Sequence, residues 1–321
     1  MSAAIVFPTA ESGIFLSPLA ALKGEAPWIY TRGIALALEH LQMSFDSLLP
    51  LVKQAAGYLD AHTVQGKETL DRVLADAVRE HLPSEKRTLW DAPSMYGAPD
   101  RQTVGGAAVS FLLRPCSFSG LVVFGCRRGG SPTFASFRSW LGRAPETPPD
   151  ADRLLVRKFL HCHGPSTPAL LAEWLGCSPA QARRLWNGVA QELEPVSVEG
   201  KARWLLSADR DALAHPCGPQ ERLLLLGPHD PYLDTRDRDV LLPDKALQKL
   251  VWRTVGNPGA VVLDGRISGM WTARTVRDRL ELSVTVLQAS SARQQSMLEI
   301  RAQEYAAFRG LSLLKYTLED G

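Results

Sequence analysis

The 321-residue sequence predicts an α+β fold, with helices closed by β-hairpins in tandem and a small β-rich domain at the C-terminal end. Three observations carry this. The stretch Leu121–Phe137 holds β-branched and aromatic runs on either side of Arg127-Arg128-Gly129-Gly130, and paired glycines supply the positive φ of a tight hairpin. The order helix, helix, helix, hairpin occurs twice, and the steps His81-Leu-Pro-Ser84 and His163-Gly-Pro-Ser166 fall at equivalent places 82 residues apart. That period is too long for a solenoid and fits tandem domains. After Leu213 the texture changes to short apolar runs separated by Asp, Gly and Pro. Helix-turn-helix followed by a hairpin is the layout of a winged helix, in which the hairpin is the wing.

Taken in order, residues 1–30 are apolar without a clear period. A helical stretch spans Arg32–Ala61, with a break expected at Pro50, because proline lacks the donor a helix interior needs. Glu68–His81 carries Leu70, Val73, Leu74, Ala75, Ala77 and Val78, the spacing of an amphipathic helix. Leu82-Pro83 stops it, and Ser84 is placed to cap a second helix. Arg101–Pro115 reads as a third helix, and the hairpin follows. The proline-rich Ala144–Asp150 is a linker. In the second unit the helices are Asp152–His163, Thr167–Leu175 and Pro179–Leu193, the last with Ser178 as cap and proline in the first turn. Pro195–Leu206 forms two strands turning at Gly200. Further on, Leu223–Leu226, Val261–Leu263 and Leu280–Leu287 read as buried strands, Asp264-Gly265 as a hairpin turn, and Ser290–Phe308 as a terminal helix. The expected domains are therefore 1–64, a shortened or divergent first winged helix; 65–143 and 151–210, the second and third; and 218–321, the β-rich domain.

Bulk composition narrows the function classes. The chain has 36 basic and 34 acidic residues, so any nucleic-acid signal must lie in their distribution. No apolar run reaches the roughly 18 residues of a membrane helix. No basic region precedes the short apolar run Met1–Phe7, so a secretory leader is not expected, and a cytoplasmic, nucleoid-associated protein is. The five cysteines are scattered, with no C-x-x-C pair, which points to reduced thiols and away from zinc. His161-Cys-His163 lies on a helix, where alternate residues face apart, so no metal is expected there. No phosphate loop, His-Glu-x-x-His or nucleophile motif appears, and no cofactor is expected.

Charge distribution is more informative. Between Arg101 and Pro145 there are six arginines (101, 114, 127, 128, 138 and 143) and no aspartate or glutamate. Arginines without acidic neighbours in sequence favour phosphate. Arg127 and Arg128 at the wing tip, with Arg114, are the first DNA-binding candidates. The third helix of the second unit carries Gln181, Arg183, Arg184 and Asn187 between apolar positions, as a recognition helix would, and Lys201 and Arg203 lie on the following hairpin. The expected partner is double-stranded DNA, damaged DNA included, with no membrane.

Two strings in the last third are specific. One runs Asp230-Pro-Tyr232-Leu233 to Arg236-Asp237-Arg238; the other is Val261-Val-Leu263-Asp264-Gly265, continuing to Gly269 and Trp271. The first alone reads as a loop tied down by Arg–Asp pairs and an anchored tyrosine. Together the two strings resemble the winged-helix DNA-binding family that includes the AlkZ-like bacterial DNA glycosylases. The hairpin Phe124–Phe134 and Trp140-Leu141 also look like members of that family. The resemblance spans about residues 30 to 290 and implies three winged helices followed by a small β-barrel-like domain. It also implies hydrolysis of the bond between an alkylated or crosslinked base and its sugar, with water positioned by a Gln-x-Gln or Gln-x-Asp pair. Here Ala4 and Val6 stand where that pair aligns, and the family's Arg-Gly-Thr-Leu-His appears as Arg32-Gly-Ile-Ala-Leu36. The expectation is a DNA-binding relative of these glycosylases without the usual water-positioning pair. Glu11 or Glu25 could stand in for it in an active glycosylase with relocated catalytic groups. A winged-helix transcription regulator is the other alternative.

Overall fold

The computed structural model describes residues 7–22, 24–25, 33–96, 101–215, 222–233 and 238–321. The chain forms two compact units, one running to Arg210 and the other from Asp211 to Gly321.

The first unit opens with α1 (Ser12–Leu16), flanked by single 3-10 turns at Thr9–Glu11 and Ser17–Leu19. Next come α2 (Ala35–Leu41), α3 (Phe45–Ala56), β1 (Val64–Gln65), α4 (Lys67–Glu80), α5 (Ser84–Trp90) and α6 (Val104–Phe118). The helical break lies at Gln42, whose φ is 50°, and not at Pro50, which sits inside α3. Ser44 explains the restart: its hydroxyl accepts from the Ser47 amide at 3.1 Å, and Ser47 returns the bond. Pro50 removes one bond near the start of a helix whose buried face, Leu48 and Val52, holds it in place.

A single core joins α2 through α6, with Leu41, Leu48, Leu59, Val64, Leu70, Leu74, Trp90, Leu112 and Phe134 in one cluster. The boundary expected at residue 64/65 therefore falls inside a packed core. Helix α6 is its axis. Gly105, Gly106, Ala107 and Ala108 are all buried, and a Cβ on Gly105 would lie 2.1 Å from the Trp90 indole. Small residues let the helix approach closely enough to bury almost its whole circumference. Strands β2 (Val123–Phe124) and β3 (Thr133–Ala135) follow, forming a three-stranded sheet in the order β1-β3-β2. Helix α7 (Phe137–Leu141) continues from β3, capped by Ser136 and ended by Gly142 in the left-handed region.

The remainder of this unit contains α8 (Ala151–His163), α9 (Pro168–Leu175), α10 (Pro179–Asn187) and the antiparallel pair β4 (Leu193–Val198) and β5 (Lys201–Leu206). Thr167 and Ser178 cap α9 and α10 through the amides of Leu170 and Gln181, both at 3.2 Å. The β4–β5 turn places Glu199 and Gly200 at φ 50° and 76°, the twist two-residue hairpins prefer. Its core joins Leu155, Phe159, Leu171, Leu185 and Trp186 to Leu19, with Ile14 and Phe15 packed alongside. Residues 14–19, expected within a first winged helix, instead complete the core of residues 151–206.

Helix α11 (Arg210–Ala214) leads to the second unit, with β6 (Leu223–Leu226), α12 (Arg238–Leu241), α13 (Lys245–Val251), β7 (Gly259–Leu263), β8 (Arg266–Val276), β9 (Arg279–Val286), α14 (Ala292–Phe308) and β10 (Ser312–Asp320). The sheet order is β10-β9-β8-β7-β6, and β10 runs parallel to β9. A parallel return needs a crossover, and α14 supplies it. Alternation along β7 sends Val261 to the face covered by Leu298 and Ala302 of α14, and Ala260 and Val262 to the face covered by Leu241 and Val251. The edges β10 and β6 are not paired with each other, so this sheet is open where a barrel-like closure was expected. No helix among the described residues is long and apolar enough to cross a membrane.

Candidate nucleic-acid interface

The β2–β3 hairpin tip is held from below. Gln65 Nε2 donates to the Arg128 carbonyl at 3.0 Å, the Gly66 amide to the Pro132 carbonyl at 2.9 Å, and Thr133 Oγ1 to the Cys126 carbonyl at 2.6 Å. An isolated bridge joins Arg128 and Ser131. Backbone bonds thus order the tip while its side chains stay outside. Arg127 and Arg128 are both exposed, and neither forms an ion pair among the described residues. Gly129 takes φ 63°, and a Cβ built on it or on Gly130 would meet nothing within 4 Å, so the tip is open to a close ligand. Strand β1, which anchors this tip, was not anticipated. Two residues give too short a run for a strand signal.

The other basic candidates separate by burial. Arg183 on α10 is exposed, with Asn187 one turn on and also exposed. Arg184 points the other way. Its Nε donates to Glu25 at 2.6 Å, and Nη1 reaches Asp152. Burial alone would raise the Glu25 pKa, but hydrogen bonds from Arg184 and the Leu22 amide, with the guanidinium charge, bring it below the ordinary value. Arg184 is therefore a structural cross-link between α10, α8 and the N-terminal segment, and its expected role on phosphate is withdrawn. Gln181 is fully buried, and its Nε2 donates to the Pro18 carbonyl at 2.9 Å, so it faces no groove.

Arg203 is buried at 9 % exposure, opposite Val196 in the hairpin, and is likewise withdrawn as a phosphate ligand. Lys201 is exposed but shares its turn with the exposed Glu199, so that hairpin tip has no net charge. Arg114 is half-buried on α6, a helix whose packing leaves no face for a groove. What the structure brings together is narrower than expected: Arg127 and Arg128 on one ordered tip, with Arg183 exposed on a separate helix.

The C-terminal strings lock loops in place. Tyr232 donates its hydroxyl to the Gly265 carbonyl at 2.8 Å, and Asp230 accepts from the Tyr232 amide at 2.9 Å. Asp264 and Gly265 form the β7–β8 turn with φ 46° and 83°, and Asp264 accepts from the Arg222 amide at 2.8 Å. Trp271 donates to the Leu226 carbonyl at 2.8 Å, and Arg238 lies over the Trp252 ring at 4.8 Å. Arg236 and Asp237 lie outside the described residues, as do Ala4, Val6 and Arg32. Sequence reasoning passed over the β8–β9 turn, where Arg274, Arg277 and Arg279 are all exposed. Arg274 is paired with Glu281 at 2.8 Å. A basic cluster at a strand end was the available signal.

The carboxylates considered as catalytic stand-ins are both engaged. Glu11 accepts from Lys158 at 2.8 Å, and Glu25 from Arg184 as above. His161 pairs with Asp209 at 2.9 Å, while His163 lies against Phe159 and Trp174, so the two histidines serve different contacts.

A family model described as DNA glycosylase AlkZ-like matches residues 36–308. Among solved structures, the Streptomyces sahachiroi DNA glycosylase AlkZ superimposes with a TM-score of 0.70 at 23 % sequence identity, covering 97 % of this chain and 77 % of that one. At that identity the likeness speaks for the fold. No curated protein matches the sequence.

Proposed function

This chain belongs to the AlkZ-like DNA glycosylase family, and we propose that it binds double-stranded DNA through winged-helix modules in tandem, with weak sequence selectivity. One module is the body packed from α2 to α6, whose wing is the β2–β3 hairpin; the other is residues 151–206 with residues 14–19 completing its core, and its helix α10 offers Arg183. The observation that carries the reading is the ordered hairpin tip presenting Arg127 and Arg128 without carboxylate partners among the described residues. Guanidinium groups held on a fixed backbone lose little freedom on meeting phosphate, and phosphate contacts orient a protein without reading sequence. Arg183 adds charge on the second module. The C-terminal unit holds its own loops through the tyrosine, aspartate and tryptophan bonds described above.

A salt titration of duplex binding tests this. Removing one arginine from phosphate should reduce the slope of log affinity against log salt by roughly 0.9. Arg127→Ala with Arg128→Ala is expected to lower it by about two such steps. Affinity for duplex DNA that does not vary with salt would refute the phosphate model.

Family membership favours a second reading, excision of an alkylated or crosslinked base. The positions aligned with the water-positioning pair hold alanine and valine, so our reading places DNA binding first. Incubation with duplex DNA carrying a cationic alkylpurine decides between the two. Base release above the uncatalysed background would establish excision, and its absence would leave binding alone.

A further inference from the structure

Three aromatic side chains around the β2–β3 module are left open to solvent: Tyr58 at 40 %, Phe124 at 62 % and Trp140 at 48 % exposure. The backbone ties them to one neighbourhood. The Leu59 carbonyl accepts from the Ser136 amide at 3.3 Å and from Ser139 Oγ at 2.9 Å. Tyr58 precedes that junction and Trp140 follows it. Phe124 pairs in register with Phe134, on the strand that runs directly into Ser136 and α7, and its ring lies 5.3 Å from that of Phe134. Tyr58 has one ring face covered by His62, parallel at 4.0 Å, which leaves the other open. Trp140 makes no ring contact among the described residues.

From Leu121 to Leu141, the segment that carries Phe124 and Trp140, every charged residue is an arginine. Arg127, Arg128 and Arg138 are all exposed there, and Asp60, two residues from Tyr58, is exposed as well. Rings interleaved with unpaired cations are what a single-stranded polyanion with flat bases needs. Stacking takes any base, because every base has a π-face, and the arginines follow its backbone. A fully paired duplex offers phosphates to such a surface but no base faces. We propose that Tyr58, Phe124 and Trp140 form a stacking platform for unpaired bases, so that this face prefers DNA with bases outside the duplex stack. The proposal rests on the DNA-binding reading above and specifies its substrate: gapped, bulged or flipped-out sites over intact duplex.

The test compares fluorescence anisotropy titrations of a labelled duplex and the same duplex with a single-stranded gap of about five nucleotides. The parent protein should bind the gapped form more tightly. Phe124→Leu with Trp140→Leu keeps apolar volume but removes the ring faces. It should weaken gapped-DNA binding roughly 5- to 150-fold for each base that no longer stacks, while changing duplex binding less than about two-fold. Trp140→Phe should restore most of the loss relative to Trp140→Leu, which a merely structural role would not require. Equal affinity of the parent for both DNAs would overturn the proposal, as would a double variant that keeps the preference. If the parent binds neither DNA, the DNA-binding reading itself fails, and that result is distinct from equal binding.

Discussion

Arg183 and Arg184 are neighbours in sequence that the fold turns to opposite sides, and substituting each by alanine separates structure from binding. Arg184 is 28 % exposed and holds Glu25, whose side chain is only 10 % exposed, together with the half-open Asp152. Removing the guanidinium leaves the Glu25 charge in a buried position without its partner. A fully buried broken pair costs about 3–5 kcal/mol. Partial exposure of Arg184 and Asp152 reduces this to about 2–3 kcal/mol. For a unit of about two hundred residues that lowers Tm by roughly 4–12 °C. Arg183 has no ion pair among the described residues, so its removal should leave Tm within about 1 °C and reduce the salt slope of DNA binding by roughly 0.9. The pH dependence follows from Glu25. Its folded pKa lies below the ordinary 4.5, so its contribution is complete above that value and is lost as pH falls through the folded pKa. In Arg184→Ala, burial is opposed only by the Leu22 amide, so the Glu25 pKa rises relative to the parent, and the stability lost to the substitution should be greatest near neutral pH and shrink as pH falls toward 4. Thermal melts from pH 7 to 4, with salt titrations at neutral pH, measure both. If Arg184→Ala melts like the parent but shows the reduced salt slope, the assignment of Arg184 as a cross-link is wrong.

Three further outcomes are expected. Burial pushes the Cys116 thiol up to about 12 and the Cys177 thiol up to about 11, whereas Cys126 and Cys162 are exposed, so iodoacetamide at pH 8 should label only the latter pair among these four in the folded protein; added duplex DNA should protect Cys126, beside Arg127, and spare Cys162, and equal protection of both would argue against the hairpin as the contact. Burial lowers the His163 pKa below 6.5, so its contribution is complete above that value and is lost as pH falls below it; melts between pH 8 and 5.5 should show a decline that His163→Phe flattens. Gly105→Ala would drive a methyl into the Trp90 indole and should cost about 1–3 kcal/mol, lowering Tm by roughly 2–12 °C, as scanning calorimetry would show.

What the sequence disclosed, and what it withheld, divides by range. Helix α4 and the cap Ser178 are local events: an amphipathic spacing, or a hydroxyl three residues from the amide that donates to it. The turns at Glu199-Gly200 and Asp264-Gly265 are equally local, since left-handed backbone favours short polar residues and glycine. The fate of the arginines is not local. Arg184 reads as a groove-facing cation until Glu25, 159 residues away, is brought against it. Arg203 reads as a wing residue until its strand turns inward. Nor does any local pattern show that residues 14–19 join the core of residues 151–206, or that β10 returns parallel to β9 through α14. An acid-free arginine stretch therefore identifies a candidate surface, but only folding decides which guanidinium groups remain available to it. Of seven basic candidates, the tip pair Arg127 and Arg128 keeps the strongest claim, because the bonds from Gln65, Gly66 and Thr133 all end on backbone and leave both side chains outside. That arrangement commits no side-chain donor of the pair to the fold, which is the physical condition for offering both to phosphate.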